Sequence, residues 1–268
     1  MRRGILALVA LAALWPRGTS AADIDVDLEL VLAVDISQSM DPQEQQLQRQ
    51  GYVQGLQDAE VINAIRSGPN GRIAVTYVEW AGPAAQRIVV PWTVIDSMAS
   101  ATAFADSLGG MTTARMRGTS ISGALDFSAA LFDENGYQGV RRTIDVSGDG
   151  PNNMGGPVLA SRDAAVRRGI TVNGLPIMLK TQSDGMFSIR DLDVYYQECV
   201  VGGPGAFLVT VSNVANLQQA IRRKLVLEIA RTEPQDQADI LPAQYDASPA
   251  TGMDCLVGEK MRQRWMQE

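Results

Sequence analysis

The stretch from Leu30 to Asp41 constrains this chain most, because its character changes at a single residue. It begins as a short, unbroken run of Leu, Val and Ala, which is typical of a strand buried on both faces of a parallel sheet. Asp35 ends the run, and Ser37 and Ser39 follow at alternate positions. A carboxylate and two hydroxyls therefore leave the carboxyl end of a buried strand, where open α/β sheets place their ligand sites.

These three side chains allow two interpretations on local grounds. Oxygen ligands suit a hard divalent cation such as Mg²⁺, Mn²⁺ or Ca²⁺. Alternatively, Asp35 and one of the serines only cap the next helix. Other segments of the chain are needed to distinguish a cation site from a helix cap.

Composition excludes several classes of function. The chain has 268 residues, which is enough for one large α/β domain or two small ones. Its net charge of -7 argues against a nucleic-acid partner, because phosphate binding needs a basic face. The sequence contains no histidine, and this excludes His-dependent catalytic triads and the common zinc sites.

Residues 1–22 have the pattern of a signal peptide. Two arginines precede the apolar segment 4–15, which is too short to span a bilayer, since a spanning helix needs about 20 residues. We expect cleavage after Ala21 or Ala22 and a secreted or periplasmic protein; the alternative is an uncleaved membrane anchor. No later stretch is apolar enough to predict a membrane span.

The chain contains two cysteines, Cys199 and Cys255. In an exported protein a small, even number of cysteines predicts a disulfide. It would attach residues 233–268, which we interpret as a tail packed on the domain, while the alternative is two free buried thiols.

Strand-like and helix-like segments alternate along the chain, which predicts an α/β fold. We expect a Rossmann-like, doubly wound, mostly parallel sheet of six strands with helices on both faces. Few residues separate the strands 72–80 and 86–90, so they should pair antiparallel, because a parallel crossover needs about a dozen residues. This makes 86–90 the one antiparallel edge strand. We also predict one helix over 42–65 and interpret the basic run 222–224 as the solvated face of the last helix.

Two further loops are rich in oxygen ligands. Thr119 opens a helix, and Asp149 follows the strand that we place beside the first one. If the order in which strands are added to the sheet reverses between these two strands, their carboxyl ends flank a crevice. Two carboxylates and three hydroxyls would then converge on one divalent cation (Mg²⁺, Mn²⁺ or Ca²⁺). These candidate ligands are Asp35, Ser37, Ser39, Thr119 and Asp149.

Three segments of the chain together resemble the metal-ion-dependent adhesion site of von Willebrand factor A (vWA) domains and integrin inserted domains. They are Asp35-x-Ser37-x-Ser39, Gly118-Thr119-Ser120-Ile121 and Ser147-Gly148-Asp149-Gly150. The resemblance covers roughly residues 27–230 and is closest to an exported bacterial branch of unsettled function. One departure is the pair Ser147-Gly148, since the family often has Thr before its last Asp-Gly pair.

The resemblance implies a role for each candidate ligand and for a partner. Ser37, Ser39 and Thr119 would bind the cation directly, and Asp35 and Asp149 would act through water or in switching. An acidic residue of a partner protein would fill the open position. The expected function is therefore non-catalytic, divalent-cation-dependent protein binding by a vWA-like domain over 23–232. Specificity would come from the loops around the site, at 40–43, 111–118 and 152–157.

Several alternatives stay open at this point. The chain could be a structural scaffold with the vWA fold and no metal. A haloacid-dehalogenase-type phosphatase also has a first-strand Asp and a Mg²⁺-binding Gly-Asp-Gly loop, but it needs a second carboxylate as general acid, and Ser37 stands there. Arg115 and Arg117 either steer an acidic partner or are ordinary solvated loop residues.

Overall fold

A computed structural model of the chain describes residues 22–110, 114–179, 187–230, 240–242 and 252–268. Nearly all of the predicted signal peptide lies outside these residues, as do parts of the loop 111–118 and of the tail 233–268. Among the described residues, no helix combines the length and the apolar character that crossing a membrane requires.

One sheet forms the centre of the described structure. Its strands are β1 (Ile24–Asp35), β2 (Ile73–Trp80), β3 (Gln86–Ile95), β4 (Tyr137–Gly148), β5 (Ile170–Pro176), β6 (Phe207–Val209) and β7 (Ile240–Pro242). Their order across the sheet is β3-β2-β1-β4-β5-β6-β7, with β3 and β7 antiparallel at the two edges. The predicted doubly wound sheet of six strands, with β3 as its antiparallel edge, is confirmed. The three-residue β7 adds a seventh strand that the sequence did not predict.

Helices cover both faces of the sheet. They are α1 (Pro42–Leu56), α2 (Ala59–Arg66), α3 (Met98–Gly109), α4 (Ile121–Ala130), α5 (Val158–Arg167), α6 (Leu192–Tyr195), α7 (Leu217–Ala230) and α8 (Val257–Trp265). A π-helical turn, Tyr196–Val200, continues α6. The apolar cores fall on opposite faces, one under α1, α2, α3 and α7 and the other under α4, α5 and α6.

The strand β1 is central, because it pairs in parallel with β2 on one side and with β4 on the other. Leu30 and Leu32 pack into one core, and Val31 and Ala33 pack into the other. This two-sided burial explains the unbroken apolar run in the sequence. The strands β2 and β3 are added on one side of β1, and the strands from β4 onward are added on the other side. The order of the strands therefore reverses between β1 and β4, and the crevice lies at this switch point, as the sequence predicted.

The single helix predicted over 42–65 is wrong, because the structure has two helices there. Asp41 caps α1 as expected, accepting hydrogen bonds from the backbone N–H groups of Gln43 and Glu44. A second cap interrupts the periodic pattern, since Asp58 accepts a hydrogen bond from the N–H of Glu60 at 2.8 Å and starts α2.

The interpretation of 222–224 as a solvated face is wrong for Lys224. Its side chain is 1% exposed, and its ammonium lies 2.6 Å from Asp145 Oδ1 on β4 and also pairs with Glu228. Arg222, by contrast, lies at the surface, where it pairs with Glu60 at 2.9 Å. Three consecutive helical residues point in different directions, so one of them faces the sheet.

The predicted disulfide is present. Cys199, at the π-helical turn, is bonded to Cys255, with their Cα atoms 5.5 Å apart. Cys255 lies two residues before α8, so the bond attaches this last helix to the domain.

Candidate metal site

The site begins where β1 ends. Asp35 is fully buried, and its Oδ1 accepts a hydrogen bond from the backbone N–H of Ser37 at 2.6 Å. The N–H of Ile36 still bonds to the carbonyl of Trp80 on β2, so the chain leaves the sheet only after this residue. The turn therefore fixes the carboxylate of Asp35 against the backbone of Ser37.

A continuous chain of hydroxyls crosses from the β1 loop to the β4 loop. The Oγ atoms of Ser37 and Ser39 lie 2.6 Å apart, and Ser39 Oγ donates to Asp149 Oδ1, also at 2.6 Å. Residues separated by 110 positions in sequence are thus in direct contact. This contact spans the crevice between β1 and β4.

Thr119 lies on the third side of the site, just before α4. It is 4% exposed and lines the same pocket as Ser37, Ser39 and Asp149. The N–H of Thr119 donates to Asn153 Oδ1 at 3.1 Å, and its carbonyl accepts from the N–H of Asn153 at 2.9 Å. Asn153 therefore holds the Thr119 loop against the Asp149 loop.

Asn152 has a similar bracing role. Its Oδ1 accepts from the N–H of Ser122 on α4 at 3.0 Å, and its own N–H donates to the hydroxyl of Tyr195 at 3.2 Å. Asn152 and Asn153 lie in the loop 152–157, which we expected to determine specificity; their bracing contacts were not predicted. The signal that pointed to them was two consecutive asparagines directly after Asp-Gly-Pro, where loop carbonyls and N–H groups need partners.

The electrostatics of the site favour a cation. Burial, and next the nearby charge of Asp149, raise the pKa of Asp35 to about 8. The second oxygen of Asp35, Oδ2, is buried and has no hydrogen-bond partner among the described residues, and the same holds for the hydroxyl of Tyr196. A buried carboxylate oxygen without a partner is costly, and a bound cation would compensate for it.

The donor set fits a hard cation. Two carboxylates and three hydroxyls line or adjoin the crevice, and oxygen donors of this kind suit Mg²⁺, Mn²⁺ or Ca²⁺. Within the described residues, no group of three or more His, Cys, Asp or Glu side chains gathers around a point. A cation bound here would therefore depend on the hydroxyls as much as on the carboxylates.

A pocket of about 530 Å³ opens above these residues. Besides the predicted residues, it is lined by two arginines, Arg117 and Arg262, and by two aromatic residues, Phe187 and Trp265. The contributions of Phe187, Arg262 and Trp265 were not predicted. The two residues from α8 lie in a tail whose only recognisable link to the domain was Cys255.

Other charged residues near the crevice have structural partners. Glu79, at the end of β2, is buried and pairs with Arg49 and Arg87, so its carboxylate is neutralised away from the pocket. Arg115 donates to the carbonyl of Gln38 at 2.7 Å and so stabilises the loop after β1.

The fold is that of von Willebrand factor A domains. Similar solved structures include the pilus adhesin SpaC from Lactobacillus rhamnosus GG, in its open conformation (TM-score 0.55, 14% identity, covering 78% of this chain and 31% of that one). Another is the von Willebrand factor type A structure from Catenulispora acidiphila (TM-score 0.51, 15% identity, 76% and 43%). A third is proximal thread matrix protein 1 from the mussel byssus, with a zinc-occupied MIDAS motif (TM-score 0.52, 15% identity, 78% and 49%).

The chain belongs to the family described as protein of unknown function DUF1194, whose model matches residues 25–233. It spans 31% to 49% of the length of the solved chains named above. No curated protein sequence matches it. These likenesses to solved structures define the fold alone.

Proposed function

We propose that this chain is a secreted or periplasmic protein-binding module that holds one divalent cation at the crevice between β1 and β4. The observation that carries the proposal is the hydroxyl chain from Ser37 through Ser39 to Asp149, which starts two residues after Asp35. The Oδ2 atom of Asp35 is buried and has no hydrogen-bond partner among the described residues. These groups come from loops far apart in sequence, and a cation would give them a common partner.

Each residue would have a distinct role in holding the cation. Ser37, Ser39 and Thr119 would bind it directly through their hydroxyls, whereas Asp35 and Asp149 would hold its water ligands and balance its charge. The cation would supply an open coordination position for an acidic side chain of a partner protein. The N-terminus of α4 begins two residues after Thr119, and its dipole favours an anion at this position.

The mechanism we propose is recognition rather than catalysis. The chain has no histidine, and Ser37 occupies the position where a haloacid-dehalogenase-type phosphatase needs a general acid. We further propose the division that the sequence suggested, with a signal peptide over 1–22, a vWA-like domain over 23–232 and a tail over 233–268.

Thermal unfolding of the mature chain tests the metal dependence. The protein is unfolded in EDTA and then with Mg²⁺, Mn²⁺ or Ca²⁺ at millimolar concentration. A cation at a hundred times its dissociation constant stabilises the folded state by about 2.7 kcal/mol, which raises Tm by roughly 5–10 °C in a chain of this size.

The double variant Ser39→Ala/Thr119→Val removes two of the three direct ligands and should lose this rise in Tm. The matched control is Ser107→Ala/Thr102→Val on α3, which makes the same chemical changes away from the site and should keep it. Absence of any rise in the wild type, with all three cations, overturns the proposal and favours a metal-free scaffold.

A further inference from the structure

The last helix, α8, is fixed against the candidate site. Gly258 is buried, and a Cβ placed there would overlap the carbonyl of Asn152 in the loop that follows Asp149. The amide Nδ2 of Asn152 donates to Glu259 Oε1 at 2.6 Å. Together with the disulfide at Cys255, these contacts hold α8 by three separate restraints. The helix is therefore part of the site's architecture.

The face of α8 toward the pocket carries Arg262 and Trp265. The ring of Trp265 meets the ring of Phe187 edge to face, with centroids 6.5 Å apart, yet half of the Trp265 surface is exposed. The pocket thus has two unlike sides. Oxygen ligands from the sheet form one side, and a guanidinium beside an aromatic pair forms the other.

The charges in the pocket favour an anionic ligand. Among the described residues, neither the guanidinium of Arg117 nor that of Arg262 forms an ion pair or a hydrogen bond. Two arginines without partners beside a cation site would repel the cation, but each attracts a carboxylate and can bind it through two N–H groups. The chain has a net charge of -7, so two arginines in this pocket are better explained by binding of an anionic ligand than by binding of the metal.

We propose that α8 is the specificity element of the site. It would select a partner segment in which the metal-bound acidic residue stands beside a large apolar side chain. Arg117 and Arg262 would hold the carboxylate from two sides, and Trp265 with Phe187 would pack on the apolar neighbour. A volume of about 530 Å³ exceeds the space that one carboxylate side chain needs, which leaves room for the second side chain. This inference rests on the proposed function of the site.

Small carboxylates serve as probes of the two sides of the pocket. Acetate, phenylacetate and the neutral phenylacetamide are titrated by NMR into the mature, disulfide-bonded chain in Mg²⁺. We expect phenylacetate to bind at least about fivefold more tightly than acetate, because its ring adds buried apolar surface. Phenylacetamide should not bind measurably, because it lacks the charge.

Two variants on α8 and one control separate the contributions. Trp265→Ala should reduce phenylacetate binding to the level of acetate without changing acetate binding, and Arg262→Ala should weaken both carboxylates about fivefold. The control Arg264→Ala removes the same charge from an exposed position on the same helix and should change neither.

The outcomes distinguish the two proposals. A rise in Tm with Mg²⁺ that persists in both α8 variants, with the affinity losses above, supports both. The same rise with equal affinities for phenylacetate and acetate, and no difference between Arg262→Ala and Arg264→Ala, overturns the role of α8 and leaves the metal site standing. No rise in the wild type overturns the metal site and with it this inference.

Discussion

The ammonium of Lys224 lies 2.6 Å from Asp145 Oδ1, and both side chains are 1% exposed. Glu228 shares the same ammonium, and Asn173 donates to Glu228 Oε1 at 3.1 Å. The carboxyl groups of Asp145 and Glu228 therefore share one ammonium group inside the core between β4 and α7. Burial, and next the charge of Glu228, raise the pKa of Asp145 to about 7. Burial lowers the pKa of Lys224, but the charges of Asp145 and Glu228 outweigh it and raise that pKa above its usual value.

The shift at Asp145 predicts how stability depends on pH. An unfolded Asp has a pKa of about 4. Between about pH 4 and pH 7 the folded chain keeps a proton on Asp145 that the unfolded chain has lost. The free energy of unfolding should therefore fall as pH rises through this window, by at most about 1.4 kcal/mol per pH unit. Urea unfolding from pH 4.5 to 8 measures it.

The control for this pH dependence is Asp145→Asn, which keeps the shape and removes the titration. Other titrating groups are common to both proteins, so the difference between the two stability curves isolates Asp145. The wild type should lose stability relative to the variant as pH rises. Parallel curves would contradict the assignment.

Removing the ammonium group of Lys224 should strongly reduce the stability of the fold. Lys224→Met leaves two buried carboxyl groups without their partner, and the loss of one member of such a buried group costs about 3–5 kcal/mol. The matched control is Arg222→Met, two residues earlier on the same helix. Arg222 is a surface residue paired with Asp58 and Glu60, so its loss should cost less than about 1 kcal/mol. Equal losses in chemical denaturation would show that the burial of Lys224 has no energetic consequence.

The backbone at Gly148 lies so close to the candidate metal site that a larger residue there should disturb the site. A Cβ at this position would lie 2.8 Å from the hydroxyl of Tyr196 and 3.0 Å from Asp35 Oδ2. Gly148→Ala should therefore displace Asp35 or Tyr196, lower stability by about 1–3 kcal/mol and reduce the rise in Tm with Mg²⁺. Gly156→Ala is the control, because no atom lies within 4 Å of its added Cβ.

A second substitution tests the cause of the Gly148→Ala effect. The hydroxyl of Tyr196 is buried without a hydrogen-bond partner among the described residues, so Tyr196→Phe alone should cost little or nothing. Combined with Gly148→Ala, it removes the closest contact and should restore part of the lost stability. If the double variant is no more stable than Gly148→Ala, contact with Tyr196 is not the cause.

The sequence predicted the sheet because strand and helix patterns are local and repeated. It also predicted that Ser37, Ser39, Thr119 and Asp149 would meet, since strand ends in this fold converge at one crevice. In the structure Ser37, Ser39 and Asp149 are in contact and Thr119 lines the same pocket, whereas their binding of a cation stays a prediction. The break at Asp58 was missed because the apolar periodicity continues on both sides of the cap.

The direction of Lys224 and the place of α8 were not predictable from local pattern. Lys224 faces inward because Asp145 lies across from it on β4, and nothing in the basic run 222–224 marks which residue has that partner. The helix α8 is short, and the roles of Gly258 and Glu259 become visible only from their contacts with Asn152. Both features depend on contacts between distant segments.

The disulfide between Cys199 and Cys255 offers the last prediction. It closes a loop with a sequence separation of 56, and in a chain-entropy model such a link contributes about 4 kcal/mol. The paired variant Cys199→Ser/Cys255→Ser should therefore be markedly less stable than the oxidised wild type, measured by urea unfolding. The wild type in a reducing agent is the control and should behave like the variant.

The same variant should separate the two halves of the pocket. The candidate ligands are held by β1, α4 and β4, which do not depend on the disulfide, so the rise in Tm with Mg²⁺ should persist. The preference for phenylacetate over acetate should shrink, because α8 then loses its covalent attachment and keeps only non-covalent contacts such as those with Asn152. An unchanged preference would mean that these contacts alone position Arg262 and Trp265, and the disulfide would then stabilise the fold without shaping the site.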